Sequence, residues 1–133
     1  MYFEFLKSED IDQVNNLIEK SFGFNGKLCN ISDDVRFLVL KNGDKVIGNS
    51  MITKMHDPIK NIKGFYIDYV CIDSEHQHQG LGMKLMIEIE KIAKSEGVNY
   101  LKLTSSSKRC YARKLYSSFG MSIKDTNVFY KEL

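Results

Sequence analysis

Residues Phe65 to Glu90 read FYIDYVCIDSEHQHQGLGMKLMIEIE. Phe65 to Ile72 is an apolar, strand-like run. A polar turn follows and ends in Gly80-Leu81-Gly82. Leu81, Leu85, Met86, Ile89, Ile92 and Ala93 then recur at about 3.6-residue spacing, the signature of an amphipathic helix. A strand, a glycine turn and a helix start in direct succession make an anion site. The first N–H groups of a helix have no internal partner, and the aligned peptide dipoles place about half a positive charge there. Gly80 and Gly82 carry no Cβ, so a phosphate can come close to the backbone. The turn is not a P-loop, since GxxxxGK[ST] is absent. Nor is it a dinucleotide fingerprint, because Leu85 stands where the third glycine would be.

What is present is Gln77-His78-Gln79-Gly80-Leu81-Gly82, or Q-x-x-G-x-G. This hexamer resembles the acetyl-coenzyme A motif of the GNAT family of N-acetyltransferases, [Q/R]-x-x-G-x-[G/A]. In that family it lies between the fourth strand and the third helix. The hexamer is short, and its place between an apolar strand and an amphipathic helix is what gives it weight.

The rest of the chain limits the alternatives. Its 133 residues, 43% hydrophobic and 27% charged, suit one soluble globular domain over 1–133. A net charge of +2 gives no argument for a nucleic-acid partner. No apolar run is long enough to cross a membrane, and MYFEFLKSED lacks the apolar core of a signal peptide. Cys29, Cys71 and Cys110 are odd in number, far apart and in no CxxC pair. They suggest a reducing, cytoplasmic setting and neither a disulfide scaffold nor a zinc site. His76 and His78 stand two apart in a polar loop, which is not a metal-ligand pattern, so no metal is expected.

The pattern predicts a strand at Tyr2–Leu6 and a helix over 9–21 with Ser8 as its N-cap. Irregular chain or a short helix follows over 23–34. A hairpin of 36–40 and 45–55 turns at Asn42-Gly43. Strand 63–72, a helix to Ser95, strand 100–104 and helix 108–119 stopped by Gly120 come next. Two last strands are expected at 121–124 and 127–132. The order β-α-(α)-β-β-β-α-β-α-β-β describes an α/β mixed sheet with helices on both faces. It is similar to the GNAT acyl-CoA N-acyltransferase fold from end to end. A second landmark is Ala112-Arg113-Lys114-Leu115-Tyr116-Ser117-Ser118-Phe119-Gly120-Met121. It resembles the family's A-x-x-[F/L]-Y-x-x-x-G-F, with Met121 replacing the final Phe.

The resemblance implies direct transfer of an acetyl group from acetyl-CoA, the cosubstrate, to a primary amine. The amides of Gln77, His78, Gln79, Gly80, Leu81, Gly82 and Met83 would hold the diphosphate. The edge of Val70-Cys71-Ile72 would pair with the pantetheine arm, and the N–H near Val70 would face the thioester carbonyl. A free amine has a pKa near ~10 and must lose a proton. Asp68, the one acid inside the apolar strand, is the candidate base, directly or through a water; Glu75 is a weaker one. Asp68, Val70 and Ile72 share a face unless a bulge intervenes. By the resemblance, Tyr116 protonates the leaving thiolate. Arg109 stands where many relatives carry an Asn that contacts pantetheine, and it could reach a phosphate instead. Cys71 sits mid-strand without a neighbouring histidine in sequence and reads as a buried thiol.

The acceptor would enter between the loop Phe22–Asp34 and the final strands, with Phe22, Phe24, Tyr66 and Phe129 as candidate lining. A small-molecule amine, an amino sugar or a peptide N-terminus all fit. Tyr66-Ile67-Asp68 with the glycine turn also resembles glucosamine-6-phosphate N-acetyltransferases, although Tyr69 replaces their second acid. The alternative from another class is a non-catalytic acetyl-CoA sensor or interaction domain. The last strands offer an edge for a homodimer, as relatives often pair.

Overall fold

The computed structural model describes residues 1–133. Five strands lie side by side in chain order: β1 (Tyr2–Phe5), β2 (Val35–Asn42), β3 (Lys45–Asp57), β4 (Ile62–Ile72) and β5 (Tyr100–Lys102). The first four pair antiparallel, whereas β4 and β5 run parallel. A parallel pair needs a crossover, which α2 (Leu81–Ser95) supplies. Helix α1 (Ile11–Phe22) joins β1 to β2, and α3 (Cys110–Phe119) follows β5.

The sheet is covered on both faces, as the pattern predicts. Leu85, Met86, Ile89 and Ala93 of α2 pack with Leu38, Ile52, Phe65 and Ile67. On the other face, Val14, Leu17 and Ile18 of α1 pack with Phe37, Val39, Val46 and Cys71. Phe37 to Leu40 is an unbroken apolar run for this reason, with successive side chains entering opposite cores.

Several local expectations need correction. Of the two alternatives for residues 23–34, irregular chain is what forms, and there is no second helix. Ser8 caps nothing; it opens a 3₁₀ turn, Ser8–Asp10, ahead of α1. Asp10 is buried there and turned toward Lys41, whose Nζ lies 2.8 Å from Asp10 and 2.7 Å from Glu4. In the hairpin only Gly43 takes the left-handed conformation (φ 62°), while Asn42 ends β2 paired with Lys45. The strands expected at 121–124 and 127–132 do not form. Strand residues need a neighbour for their N–H and C=O groups. The tail does not meet β5, which is three residues long and ends the sheet.

Candidate functional site

Strand β4 carries an irregularity opposite β3. Asn49 pairs with Cys71 and Met51 with Asp68, so Tyr69 and Val70 together face Ser50. This is a β-bulge, with Tyr69 in the left-handed region at φ 50°. The bulge reverses the alternation of the strand. Phe65 and Ile67 face α2 before it; Val70 and Ile72 face α2 after it, while Tyr69 and Cys71 face α1. Asp68, next to Ile67, therefore lies on the opposite face from Val70 and Ile72. The shared face expected of Asp68, Val70 and Ile72 is lost to the inserted residue.

The neighbouring edge is open. β5 pairs only with Gly64, Phe65 and Tyr66, and β4 continues to Ile72 with no strand on that side. Side chains secure the mouth of this cleft. Tyr66 Oη lies 2.9 Å from Thr104 Oγ1, and Gln77 Nε2 donates to Ile72 O at 3.1 Å.

The glycine turn lies at the end of the same strand. His78 (φ 64°) and Gly80 (φ 75°) both take the left-handed conformation, and Gly80 precedes the first residue of α2. Lys84 N–H closes the first helical bond onto Gly80 O at 3.2 Å. None of the amides from Gln77 to Met83 donates to a protein acceptor. Helix α3 packs above this start: a Cβ on Gly82 would fall 3.3 Å from Leu115 Cδ2. The His78 and Tyr111 rings meet edge-on, with centroids 5.8 Å apart.

Asp68, Cys71, Arg109 and Tyr116 form one electrostatic neighbourhood. Burial raises the Asp68 pKa, and no cation is paired with it to offset that. Burial also raises the Tyr116 pKa; Arg109 works against this, while Asp68 and Cys71 add to it. Burial pushes the Cys71 thiol to about 11 against a hydrogen bond with Ser21 and the charge of Arg109. Cys71 is thus a neutral thiol near neutral pH, not a ready nucleophile.

Arg109 precedes α3 and places its guanidinium 4.9 Å from the Phe22 ring centre. Phe22 and Phe24 in turn meet Tyr69, at 5.5 and 5.9 Å. A cavity of about 180 Å³ opens beside this cluster, lined by Phe24, Leu28, Ile31 and Tyr69 among others. Of the expected acceptor-lining residues, Phe22 and Phe24 join this wall. Tyr66 is engaged with Thr104, and Phe129 is 94% exposed and lines nothing. Glu75 is far from buried and sits 3.9 Å from Lys45 Nζ.

β4 is thus bulged and parts from its parallel neighbour, with a free-amide turn at its end. The sequence matches the family described as Acetyltransferase (GNAT) family over residues 4–121. The chain belongs to the GNAT acetyltransferase family. Human N-acetyltransferase 8 is 27% identical over 84 residues, which is 63% of this chain and 37% of that protein. The match therefore spans little more than a third of that relative's length. Among solved structures, an aminoglycoside acetyltransferase from an uncultured soil metagenomic sample superposes with a TM-score of 0.86 at 19% identity, covering 99% of this chain and 95% of its own. The ribosomal-protein-alanine N-acetyltransferase of Brucella melitensis biovar Abortus 2308 gives 0.84 at 12% identity, with 98% of each chain covered. At these identities the GNAT neighbours establish the fold.

Two features of the site escape sequence reasoning. One is Tyr69, whose ring meets those of Phe22 and Phe24. The other is Asn49, buried in β3, which donates from Nδ2 to Tyr69 O at 3.2 Å. The signal for Asn49 was present, since Asn49-Ser50 interrupts the apolar stretch from Val46 to Ile52.

Proposed function

We propose that this chain moves the acetyl group of acetyl-CoA directly to a primary amine of a small molecule or peptide. One observation carries the reading. Seven consecutive amides, Gln77 to Met83, lack a protein acceptor at the end of a strand whose outer edge is open from Ile67 to Ile72. Unpaired amides at a helix start favour a diphosphate, and an open strand edge accepts an extended amide-bearing arm.

Asp68, or a water that it holds, takes the proton from the amine. Burial has raised its pKa, which makes it a better base than a solvent-exposed aspartate. The Val70 N–H at the bulge is the donor for the developing oxyanion; losing such a donor typically costs ~3 kcal/mol. Tyr116 gives its proton to the departing thiolate, and its raised pKa keeps it protonated until then. Arg109 balances the negative charge that builds up between Tyr116 and Asp68. The Phe22–Phe24–Tyr69 wall is the side from which the acceptor approaches, and its apolar lining suits an amine on an apolar or aromatic body.

The test is thiol release from acetyl-CoA over a panel of amines, with coenzyme A binding followed by thermal shift. A ligand at a hundred times its dissociation constant should stabilise the chain by ~2.7 kcal/mol. Binding with turnover supports the proposal. Binding without thiol release for any amine would make the chain a sensor, and ATP outcompeting coenzyme A would make it a nucleotide-binding domain.

A further inference from the structure

The cavity of about 180 Å³ beside Tyr69 lies on the α1 side of the sheet, and its lining is apolar. Phe24, Leu28 and Ile31 come from the loop after α1, and Ile18 and Phe37 from the buried core. Phe24 and Ile31 remain 43 and 46% exposed, so large apolar groups face solvent at its mouth. Leu28 N–H donates to Asn15 Oδ1 at 2.8 Å. This bond pins the irregular loop against α1 and leaves the cavity preformed. A cavity of about 150 Å³ walled by leucine, isoleucine and phenylalanine is enough to hold a benzene ring.

The charge around the cavity is of one sign. Lys27 is the only charged residue on the lining, and no carboxylate lies there. The Phe22 ring, which meets those of Phe24 and Tyr69, already carries the Arg109 guanidinium 4.9 Å from its centre. A second cationic group on an acceptor would find no partner on this wall and would be repelled by it. Asp68 is the acid next to the wall. It and Tyr69 are consecutive, yet the bulge turns both toward α1, so the proposed base stands beside the cavity. A single amine reaches Asp68 while the group that carries it enters the cavity.

We propose that the acceptor is a primary amine on one short apolar arm, of the size of a phenyl ring or a leucine side chain, and that the arm sits in the cavity between Phe24, Leu28, Ile31 and Tyr69. Polyamines and other polycations are poor acceptors, because their further charges meet Lys27 and Arg109 and no carboxylate on the lining. The inference rests on the acetyl-transfer reading and narrows it to a substrate class.

The experiment is kcat/KM for thiol release with phenethylamine, phenylalanyl-glycyl-glycine, methylamine and spermidine, alongside iodoacetamide labelling of Cys29. An arm that fills the cavity is worth at least about ten-fold, so phenethylamine or the peptide should exceed methylamine and spermidine by that factor. The better of the two says whether the amine belongs to a small molecule or to a peptide N-terminus. Ile31→Trp, at a half-exposed position, should bring the ratio of phenethylamine to methylamine toward one while the circular dichroism spectrum is retained. Cys29 is exposed and lines the cavity, whereas Cys110 is exposed and lies outside it. Phenethylamine should slow the labelling of Cys29 and not of Cys110, and spermidine should slow neither. With thiol release present, equal rates for all four amines, a preference for spermidine or an unshielded Cys29 would overturn the proposal and leave acetyl transfer standing. Shielding of Cys29 by phenethylamine without thiol release from any amine would support the occupant and overturn the transfer reading instead. Neither shielding nor release would overturn both.

Discussion

Asn49 holds Tyr69 in place: its Nδ2 donates to the Tyr69 main-chain oxygen at 3.2 Å across the β3–β4 ladder. Tyr69 occupies a conformation that L-residues avoid, and such a backbone persists only where its surroundings impose it. Asn49 is wholly buried at the point where the ladder is out of step. Asn49→Ala leaves the Tyr69 carbonyl without this partner and should destabilise the chain by about 1–3 kcal/mol. Because the bulge orients Val70 N–H, kcat should fall more than coenzyme A affinity does. A variant in which both are unchanged would show that the bulge stands without Asn49.

Asp68→Asn keeps the size and removes the proposed base. A positioned base contributes typically ~10²–10⁴ in rate, and a loss within that range is expected in kcat/KM for thiol release. The carboxylate is active only when ionised, and burial raises its pKa. The wild-type profile should therefore gain activity as pH rises through a value above that of an ordinary aspartate, and this limb should be missing in the variant.

For Tyr116→Phe, only the hydroxyl is lost from a half-buried ring on α3. Turnover should drop by about 10²-fold with coenzyme A binding retained, because in the proposed reaction the proton is needed only as the thiolate leaves. Unchanged turnover with the best amine would remove Tyr116 from the chemistry.

Cys71→Ala should leave turnover within a few-fold of the parent. The thiol is buried, with its pKa pushed up to about 11, so little thiolate exists near neutral pH. Mass spectrometry of the chain with acetyl-CoA alone should find no acetylated cysteine. A stable acetyl-Cys71 adduct would replace direct transfer with a two-step mechanism.

Lys41 ties β2 to β1 and to the start of α1 through Glu4 and Asp10. Hydrogen bonds with Asp10 and then Glu4 raise its pKa, so its contribution is complete below the ordinary lysine range. That contribution is lost as pH rises through the higher folded value. Glu4 is held low by the Lys41 bond, so its contribution is present above the unfolded carboxylate pKa and is lost as pH falls through the folded one. Tm should fall at both ends of the pH scale. Lys41→Met removes the partner of both acids and should lower Tm near neutral pH more than Lys7→Met, which removes only a solvent-exposed pair.

Much of this protein could be read from local pattern. The run Phe65–Ile72, the glycine turn and the periodic Leu81–Ala93 segment are contiguous, and each forms for reasons within its own few residues. Gly120 ends α3 as expected because its left-handed conformation is a property of one residue. Other features depend on distant partners. Ser8 suits an N-cap, but pairing between Lys41 and Asp10 draws that turn into a different shape. The tail has strand composition, yet a strand requires a paired neighbour, and residues 121–133 pair with none.

The order of elements from Tyr2 to Phe119, the two buried faces and the glycine turn were determined by sequence alone, since apolar periodicity and glycine placement act over short range. Tertiary structure decided which face Asp68 occupies, how far β4 and β5 part, and what gathers around Tyr116. The first of these depends on a single residue inserted at Tyr69–Val70. Only pairing against β3 reveals it, because the sequence of a strand does not record the register of its partner.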